Sequence, residues 1–174
     1  MKFPKLLKAD VERAFVYAYY QLVKGCKVSM DIPDENIIPV VAFAHRTGEI
    51  YAMDFSTTYH FAENVKPSTR VRWIRKKTEQ MQRYAEFTGI QHNTEYKSLY
   101  EIWCFIPPKN RVLDAVEAAV KEELPVSLVS YDVVNDRIRQ VASLEPLKDE
   151  IVYNNAFLWA AKLLREAGVV SKNK

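Results

Sequence analysis

The sequence predicts an α/β fold in which helices flank a mixed central β-sheet. Apolar residues recur at helical spacing in several segments, and short apolar runs typical of buried strands lie between them. Two of these runs are joined by a four-residue turn, which indicates a hairpin. The chain of 174 residues is 48% hydrophobic and 27% charged, so we expect a single domain, residues 1–174, with a core of ordinary size.

The first elements follow from local signals. Asp10 is a helix-capping residue type, and apolar side chains recur at helical spacing from Val11 to Lys24. Gly25 is expected to end this helix, because glycine readily adopts the left-handed conformation found after helices. Lys27 to Ile32 has the alternating pattern of a short strand, and the Pro, Asp, Glu and Asn that follow favour a turn.

The clearest unit in the sequence is a β-hairpin. The apolar run Ile37–Ala44 fits a buried strand, residues 45–48 fit a turn, and Ile50–Phe55 fits the returning strand. Pro39 cannot donate a hydrogen bond to a neighbouring strand, so we expect it at a strand start, a bulge or an edge.

The rest of the chain alternates between helix and strand. We expect helices over Thr69–Thr88, Asn110–Leu124 and Leu147–Ala167, and strands over Leu99–Ile106 and Val126–Val134. The element order is therefore α-β-β-β-α-β-α-β-α. Strands connected through helices pair in parallel, whereas the hairpin pairs antiparallel, so the sheet is expected to be mixed.

Composition disfavours several classes of site. Only four glycines are present, and neither of the Gly-rich phosphate-binding motifs occurs. Cys26 and Cys104 lie far apart, which disfavours a zinc site or a disulfide framework and suits a reducing, cytoplasmic location. The three histidines show no metal-ligand spacing. We expect no signal peptide and no membrane-spanning segment, because no long apolar run is present.

One combination of residues resembles a known nuclease superfamily. Glu12 lies near the start of the first helix, the hairpin carries IPVVAF and GEIYAMDFSTT, and a basic helix with QRYAEFTGI precedes an apolar strand. This order and spacing resemble the PD-(D/E)XK nucleases, most closely the archaeal Holliday-junction resolvases. The resemblance implies a restriction-endonuclease-like αβββαβ core over residues 10–106, with an added α-β-α extension over residues 107–174.

The candidate catalytic site follows from that resemblance. In these nucleases carboxylates hold Mg²⁺, which activates a water for phosphodiester hydrolysis, and a lysine assists. The resemblance places Asp54 at the second carboxylate, but it puts Ser56 at the lysine position and Val40 at the first carboxylate. The candidate catalytic residues are Asp54, Ser56 and Glu12. The candidate ligands of Mg²⁺ are Asp54 and, from the loop before the strand, Asp34.

Positive charge is concentrated in the basic helix. Residues 66–83 contain seven Lys or Arg side chains and one acid, a net charge of +6, whereas the whole chain carries +3. Such a face can neutralise phosphates, and Trp73 within it can stack on a base. A solvated helix face is the alternative, because charge runs usually have that role. The candidate nucleic-acid-binding residues are Arg70, Arg72, Trp73, Arg75, Lys76, Lys77 and Arg83.

The leading functional prediction is a DNA-binding protein on a nuclease-like scaffold whose metal-dependent cleavage is weak or lost, because two site positions depart from the pattern. Two alternatives stay open: an active Mg²⁺-dependent endonuclease with a rearranged site, and a non-enzymatic module that binds an acidic protein surface. The resemblance also implies a homodimer. On the last helix, we expect Trp159, Leu163 and Leu164 to be buried. Tyr153, Phe157 and Leu158 can contact a second subunit, and the alternative is that they pack under a loop.

Overall fold

The computed structural model describes residues 5–29, 38–55, 66–92, 95–105, 110–144 and 154–166, which form an α/β fold. The α-helices are α1 (Lys5–Ala18), α2 (Pro67–His92), α3 (Asn110–Lys121), α4 (Tyr131–Ala142) and α5 (Ala156–Glu166). The strands are β1 (Lys27–Ser29), β2 (Val40–Ala44), β3 (Glu49–Phe55), β4 (Lys97–Trp103) and β5 (Val126–Val129). A π-helical turn over Tyr19–Val23 continues α1.

The strands form a five-stranded mixed sheet in the order β1-β2-β3-β4-β5. β1, β2 and β3 pair antiparallel, whereas β3, β4 and β5 pair in parallel, because α2 and α3 return the chain across the sheet between them. The hairpin register sets Val40 opposite Met53. β3 is the third of the five strands and so the central one, and it neighbours β2, the strand that carries Val40. The predicted position of Asp54, at the inner end of a central strand, is confirmed.

The two faces of the sheet carry separate hydrophobic layers. On one face, Met53 and Phe55 pack with residues of α1, the π-helical turn, α4 and α5; we call this the α1 layer. On the other face, Ile50 and Ala52 pack with residues of α2 and α3; we call this the α2 layer. Successive residues of a strand point to opposite faces. Odd-numbered residues of β3 therefore enter the α1 layer and even-numbered residues enter the α2 layer.

α2 packs as the sequence predicted. All five residues of the predicted inward stripe are buried: Val71, Ile74, Thr78, Met81 and Ala85. The sequence predicted that this helix would end at Gly89, but it continues to His92. A glycine inside a helix costs only about 1 kcal/mol relative to alanine, so packing can override this stop signal. No helix in the described part of the chain is both long and apolar enough to cross a membrane.

The first helix differs from the prediction at both ends. It begins at Lys5, so Asp10 lies within the helix and does not cap it. At the other end, the π-helical turn has more residues per turn than an α-helix, which rotates the side chains that follow. Val23 is consequently exposed, whereas a continuous α-helix would have turned it inward. Gly25 follows with a φ of +66°, as expected.

The region after β4 departs most from the prediction. β5 ends at Val129, although the sequence predicted a strand as far as Val134. α4 was not predicted, and it begins directly afterwards with Ser130 as its N-cap, whose side chain accepts a hydrogen bond from the Val133 backbone N–H. Val134 and Val141 are buried at helical spacing. The continuous apolar run fits either element, and the Ser-Tyr-Asp sequence was the overlooked signal for a helix start.

α5 turns the opposite face to the core from the one predicted. Leu158 is buried and Phe157 is half-buried, so these two predicted subunit contacts belong to the core, and Tyr153 lies outside the described residues. Asn155 fixes this orientation, because its amide donates to the Ala14 carbonyl and its carbonyl accepts from the Leu158 backbone N–H. The residues exposed on the outer side of α5 are Trp159, Ala160, Leu163 and Leu164.

Candidate functional site

Asp54 is a fully buried carboxylate near the end of β3, with donors on both of its oxygens. Oδ1 accepts a hydrogen bond from the Phe55 backbone N–H at 2.9 Å, and Oδ2 accepts one from the Tyr100 hydroxyl at 2.8 Å. Oδ2 also forms an ion pair with the Lys77 ammonium. A buried carboxylate is costly unless it is paired and hydrogen-bonded. These partners supply the charge and the hydrogen bonds that Asp54 needs in the interior.

Lys77 reaches Asp54 from α2, and its side chain is only 18% exposed. Burial lowers the pKa of Lys77 to about 8, so the ammonium form still predominates at neutral pH. Lys77 thus places a cation from a helix beside the Asp54 carboxylate. The sequence analysis placed Lys77 on the phosphate-binding surface, but it faces Asp54. Its spacing from Ile74 and Met81, three and four residues away, is the signal that it borders the buried stripe.

Glu12 and Asp54 are not brought together. Glu12 is buried on α1, whereas the contacts of Asp54 with Lys77 and Tyr100 lie in the α2 layer, on the other side of the sheet. The alternation along β3 explains this, because Asp54 shares its face with Ala52 and not with its two immediate neighbours. Ser56 and Asp34, the other predicted site residues, lie outside the described residues.

Asp54 is the one predicted ligand of Mg²⁺ among the described residues, since Asp34 lies outside them. Within the part of the chain that the structure describes, no three His, Cys, Asp or Glu side chains form a group that could hold a metal ion. A cation at Asp54 Oδ2 would also compete with the ammonium of Lys77, which already balances the carboxylate charge. Mg²⁺ prefers several oxygen ligands in octahedral geometry, and neither a lysine nor a hydrogen-bonded tyrosine hydroxyl provides them here.

The predicted nucleic-acid-binding residues divide into a surface group and an interior group. Arg70 is 1% exposed and Lys77 faces Asp54, so neither is presented at the surface for a phosphate. Of the predicted residues, those exposed on α2 are Arg72, Trp73, Arg75, Lys76 and Arg83, and the acidic Glu79 and Glu86 are exposed on the same helix. Arg75 forms an ion pair with Glu122, which ties α2 to the end of α3. Half-exposed pairs of this kind contribute little to stability.

Arg72, Lys76 and Arg83 form what we call the basic face of α2. Separations of four and seven residues return to the same side of an α-helix, so the three side chains follow one line along its outer surface. The distance along the axis from the first to the last is about 16 Å, from a rise of 1.5 Å per residue. The exposed Glu79 lies on the same line, seven residues after Arg72, so these four side chains carry a net charge of +2. The line can still bind a polyanion without moving any element of the fold.

A second buried polar cluster lies in the α1 layer, and the sequence analysis missed it. Glu101 Oε2 accepts hydrogen bonds from the Tyr20 hydroxyl at 2.5 Å and from Trp103 Nε1 at 2.9 Å. Burial, and then the adjacent Glu101 carboxylate, raise the pKa of Tyr20 far above its ordinary value. The Arg137 guanidinium lies over the Trp103 ring at 4.4 Å. Tyr20 lies in the π-helical turn, four residues after the buried Val16.

No protein-family model matches the chain, and no curated protein and no solved structure matches it. The geometry of the described residues therefore carries the functional inference.

Proposed function

We propose that this protein binds nucleic acid, with DNA as the expected ligand, through the basic face of α2. The observation that carries the proposal is the exposed line of Arg72, Lys76 and Arg83 on a helix whose opposite side is locked into the core. Each phosphate that such a face contacts releases counterions, which gives an affinity independent of base sequence and strongly dependent on salt.

The proposed scaffold is a restriction-endonuclease-like core of the PD-(D/E)XK type. Its support is the order α1-β1-β2-β3-α2-β4, with an antiparallel β1-β2-β3 meander and a parallel crossover to β4. This is the αβββαβ order that the sequence resemblance implies. A fold does not by itself fix an activity, so the functional proposal depends on the site.

Metal-dependent cleavage is proposed to be weak or absent. The support is that Lys77 and Tyr100 engage Asp54 and that Glu12 lies in the opposite layer. Lys77, the cation beside Asp54, is engaged in an ion pair with Oδ2 of that carboxylate and comes from α2, whereas the resemblance places the lysine two residues after Asp54. Loss of a positioned acid–base group typically costs about 10²- to 10⁴-fold in rate.

The salt dependence of DNA binding tests the binding proposal. We expect the double variant Arg72→Ala, Lys76→Ala to bind duplex DNA more weakly, and its plot of log Kobs against log salt to become shallower by about 1.8, or roughly 0.9 per lost contact. The measurement is fluorescence anisotropy over a salt series. The matched control is Lys27→Ala, Arg139→Ala, which removes two exposed charges from β1 and α4. An unchanged slope in the first double variant would mean that the basic face does not contact phosphates and is a solvated surface.

Nuclease assays test the loss of catalysis. We expect little or no cleavage of a four-way junction or a plain duplex with Mg²⁺ or Mn²⁺, while binding persists in EDTA. The control is Asp54→Asn, which keeps the size of the side chain and removes its charge. Robust turnover that disappears in Asp54→Asn would instead support an active endonuclease with a rearranged site. Trace cleavage that Asp54→Asn leaves unchanged would indicate contamination.

We also propose that the protein forms a homodimer, now through the outer side of α5. Trp159, Leu163 and Leu164 are exposed there on neighbouring turns of one helix. Exposed apolar patches of this kind mark interaction sites, and a twofold dimer is the commonest symmetric assembly.

A further inference from the structure

Trp73 is an exposed tryptophan within the positively charged part of α2. Its side chain is 42% exposed, whereas Trp103 is completely buried in the α1 layer. Arg72 precedes it, and Lys76 lies almost one helical turn later, so two exposed cations border the indole. An indole kept at the surface beside two cations combines a flat apolar face with charges that attract phosphate.

The surroundings of α2 show which way the indole faces. Arg75 pairs with Glu122 and so marks the side of α2 that meets α3. The ring of Tyr84 lies 6.1 Å from that of Phe43, which marks the side nearer β2. Trp73 is eleven residues from Tyr84, close to three full turns, so it lies on the β2 side. The indole therefore projects from the side of α2 that faces away from α3, next to the basic face.

A second exposed aromatic side chain follows on the same side of α2. Phe87 is 57% exposed and lies fourteen residues after Trp73, close to four full turns or about 21 Å along the axis. The line of Arg72, Lys76 and Arg83 runs beside these two rings. The outer surface of α2 thus carries a row of cations parallel to a row of two aromatic side chains.

This arrangement distinguishes two forms of nucleic acid. In a duplex the faces of the bases are covered by their neighbours, so a duplex can use the cations alone. A single strand offers both its phosphates and the uncovered faces of its bases, and stacking on an aromatic side chain tolerates any base sequence. The row of aromatic side chains therefore adds affinity only for unpaired nucleotides.

We propose that the outer surface of α2 binds single-stranded nucleic acid in preference to duplex, with Trp73 as the platform on which an unpaired base stacks. This inference rests on the proposed nucleic-acid binding and names the form of nucleic acid that the same surface takes. Arg72 and Lys76 hold the backbone on either side of the stacked base.

The test compares single-stranded and duplex probes of one length. Fluorescence anisotropy is measured with a labelled oligothymidine of about 12 nucleotides, within the roughly 4–16 nucleotides that single-strand sites cover, and with a 12-base-pair dA·dT duplex. We expect Trp73→Leu to weaken binding of the single strand by about 5- to 150-fold and to change duplex binding less than about twofold. Trp73→Phe keeps an aromatic face and is expected to restore part of the loss. Val133→Ala, which shortens a similarly exposed apolar side chain on α4, is the control and is expected to change neither affinity.

Tryptophan fluorescence gives a readout that a general loss of affinity would not mimic. At a saturating concentration of oligothymidine, we expect quenching in the wild-type protein and in Val133→Ala, and little quenching in Trp73→Leu. Equal weakening of both probes by Trp73→Leu, or no weakening of either, would overturn the stacking inference. If the double variant Arg72→Ala, Lys76→Ala still bound both probes more weakly in that case, the proposal of nucleic-acid binding itself would stand. Failure of the wild-type protein to bind either probe would overturn both proposals.

Discussion

At the scale of single residues, the central observation is the contact between Asp54 and Lys77. The carboxylate is fully buried and the ammonium nearly so, and they come from a strand and a helix that are joined only through a long segment of chain. Two charges in this position are tolerated because each balances the other and Tyr100 adds a hydrogen bond. The pair thereby connects the central strand to the helix that carries the basic face.

Removing one member of this pair is expected to destabilise the fold. Lys77→Met leaves the Asp54 carboxylate without its cation, and we expect a loss of about 3 kcal/mol in the free energy of unfolding, measured by urea denaturation. Asp54→Asn is expected to be similarly destabilising, because it leaves a largely buried ammonium. The double variant should recover part of the loss, with a coupling energy of about 1–3 kcal/mol.

The matched control for that cycle is the half-exposed pair of Arg75 and Glu122, which also joins two elements. Arg75→Met and Glu122→Gln are each expected to change the free energy of unfolding by less than about 1 kcal/mol. Strict additivity of Asp54→Asn and Lys77→Met, within about 0.5 kcal/mol, would show that the two charges are energetically independent.

At the scale of elements, the β2–β3 hairpin determines which side chains of β3 enter the α1 layer and which enter the α2 layer. Gly48 closes its turn with a φ of +63°, and its carbonyl accepts a hydrogen bond from the Lys97 backbone N–H at the start of β4. A register shift of one residue would move Asp54 into the α1 layer and separate it from Lys77. The turn therefore fixes both the hairpin and the layer that the carboxylate enters.

Substitution of the two glycines with positive φ tests how closely this turn is packed. An alanine at Gly25 meets open space, so Gly25→Ala is expected to cost about 1 kcal/mol, from the left-handed backbone alone. A Cβ at Gly48 would lie 3.1 Å from the Glu95 carbonyl oxygen, so Gly48→Ala is expected to cost about 2 kcal/mol or more. Urea denaturation of both variants gives the comparison. Equal costs would mean that the Glu95 backbone moves aside freely.

At the scale of the whole molecule, charge and apolar surface are presented on opposite layers. The basic face belongs to α2 in the α2 layer, whereas the exposed apolar side of α5 belongs to the α1 layer. A dimer formed through α5 would therefore leave both copies of the basic face accessible. Such an assembly is compatible with two nucleic-acid segments bound at once.

Sedimentation velocity is expected to show a dimer for the wild-type protein and a monomer for the double variant Leu163→Glu, Leu164→Glu. The charges would have to be desolvated in an apolar interface, which is unfavourable without partners. Val133→Glu, at an exposed valine of α4, is the matched control and should leave the dimer intact. A wild-type protein that sediments as a monomer at all accessible concentrations would contradict the dimer.

The sequence alone determined the α/β class, the hairpin, and the buried stripe of α2, because each depends on a period of two or 3.6 residues that local patterns record. It also located the basic helix, since charge can be counted without a structure. It failed where one apolar run fits two elements, as at β5 and α4, and where the π-helical turn changed the helical period before Val23.

Only the tertiary structure decided which charged residues meet. Glu12 and Asp54 have the expected order along the chain, but the alternation along β3 and the placement of α1 set them on opposite faces of the sheet. Lys77 belongs to a run of cations in the sequence, yet the rotation of α2 turns it toward Asp54. Faces and rotations are set by packing between distant segments, whereas a linear pattern records only the local period.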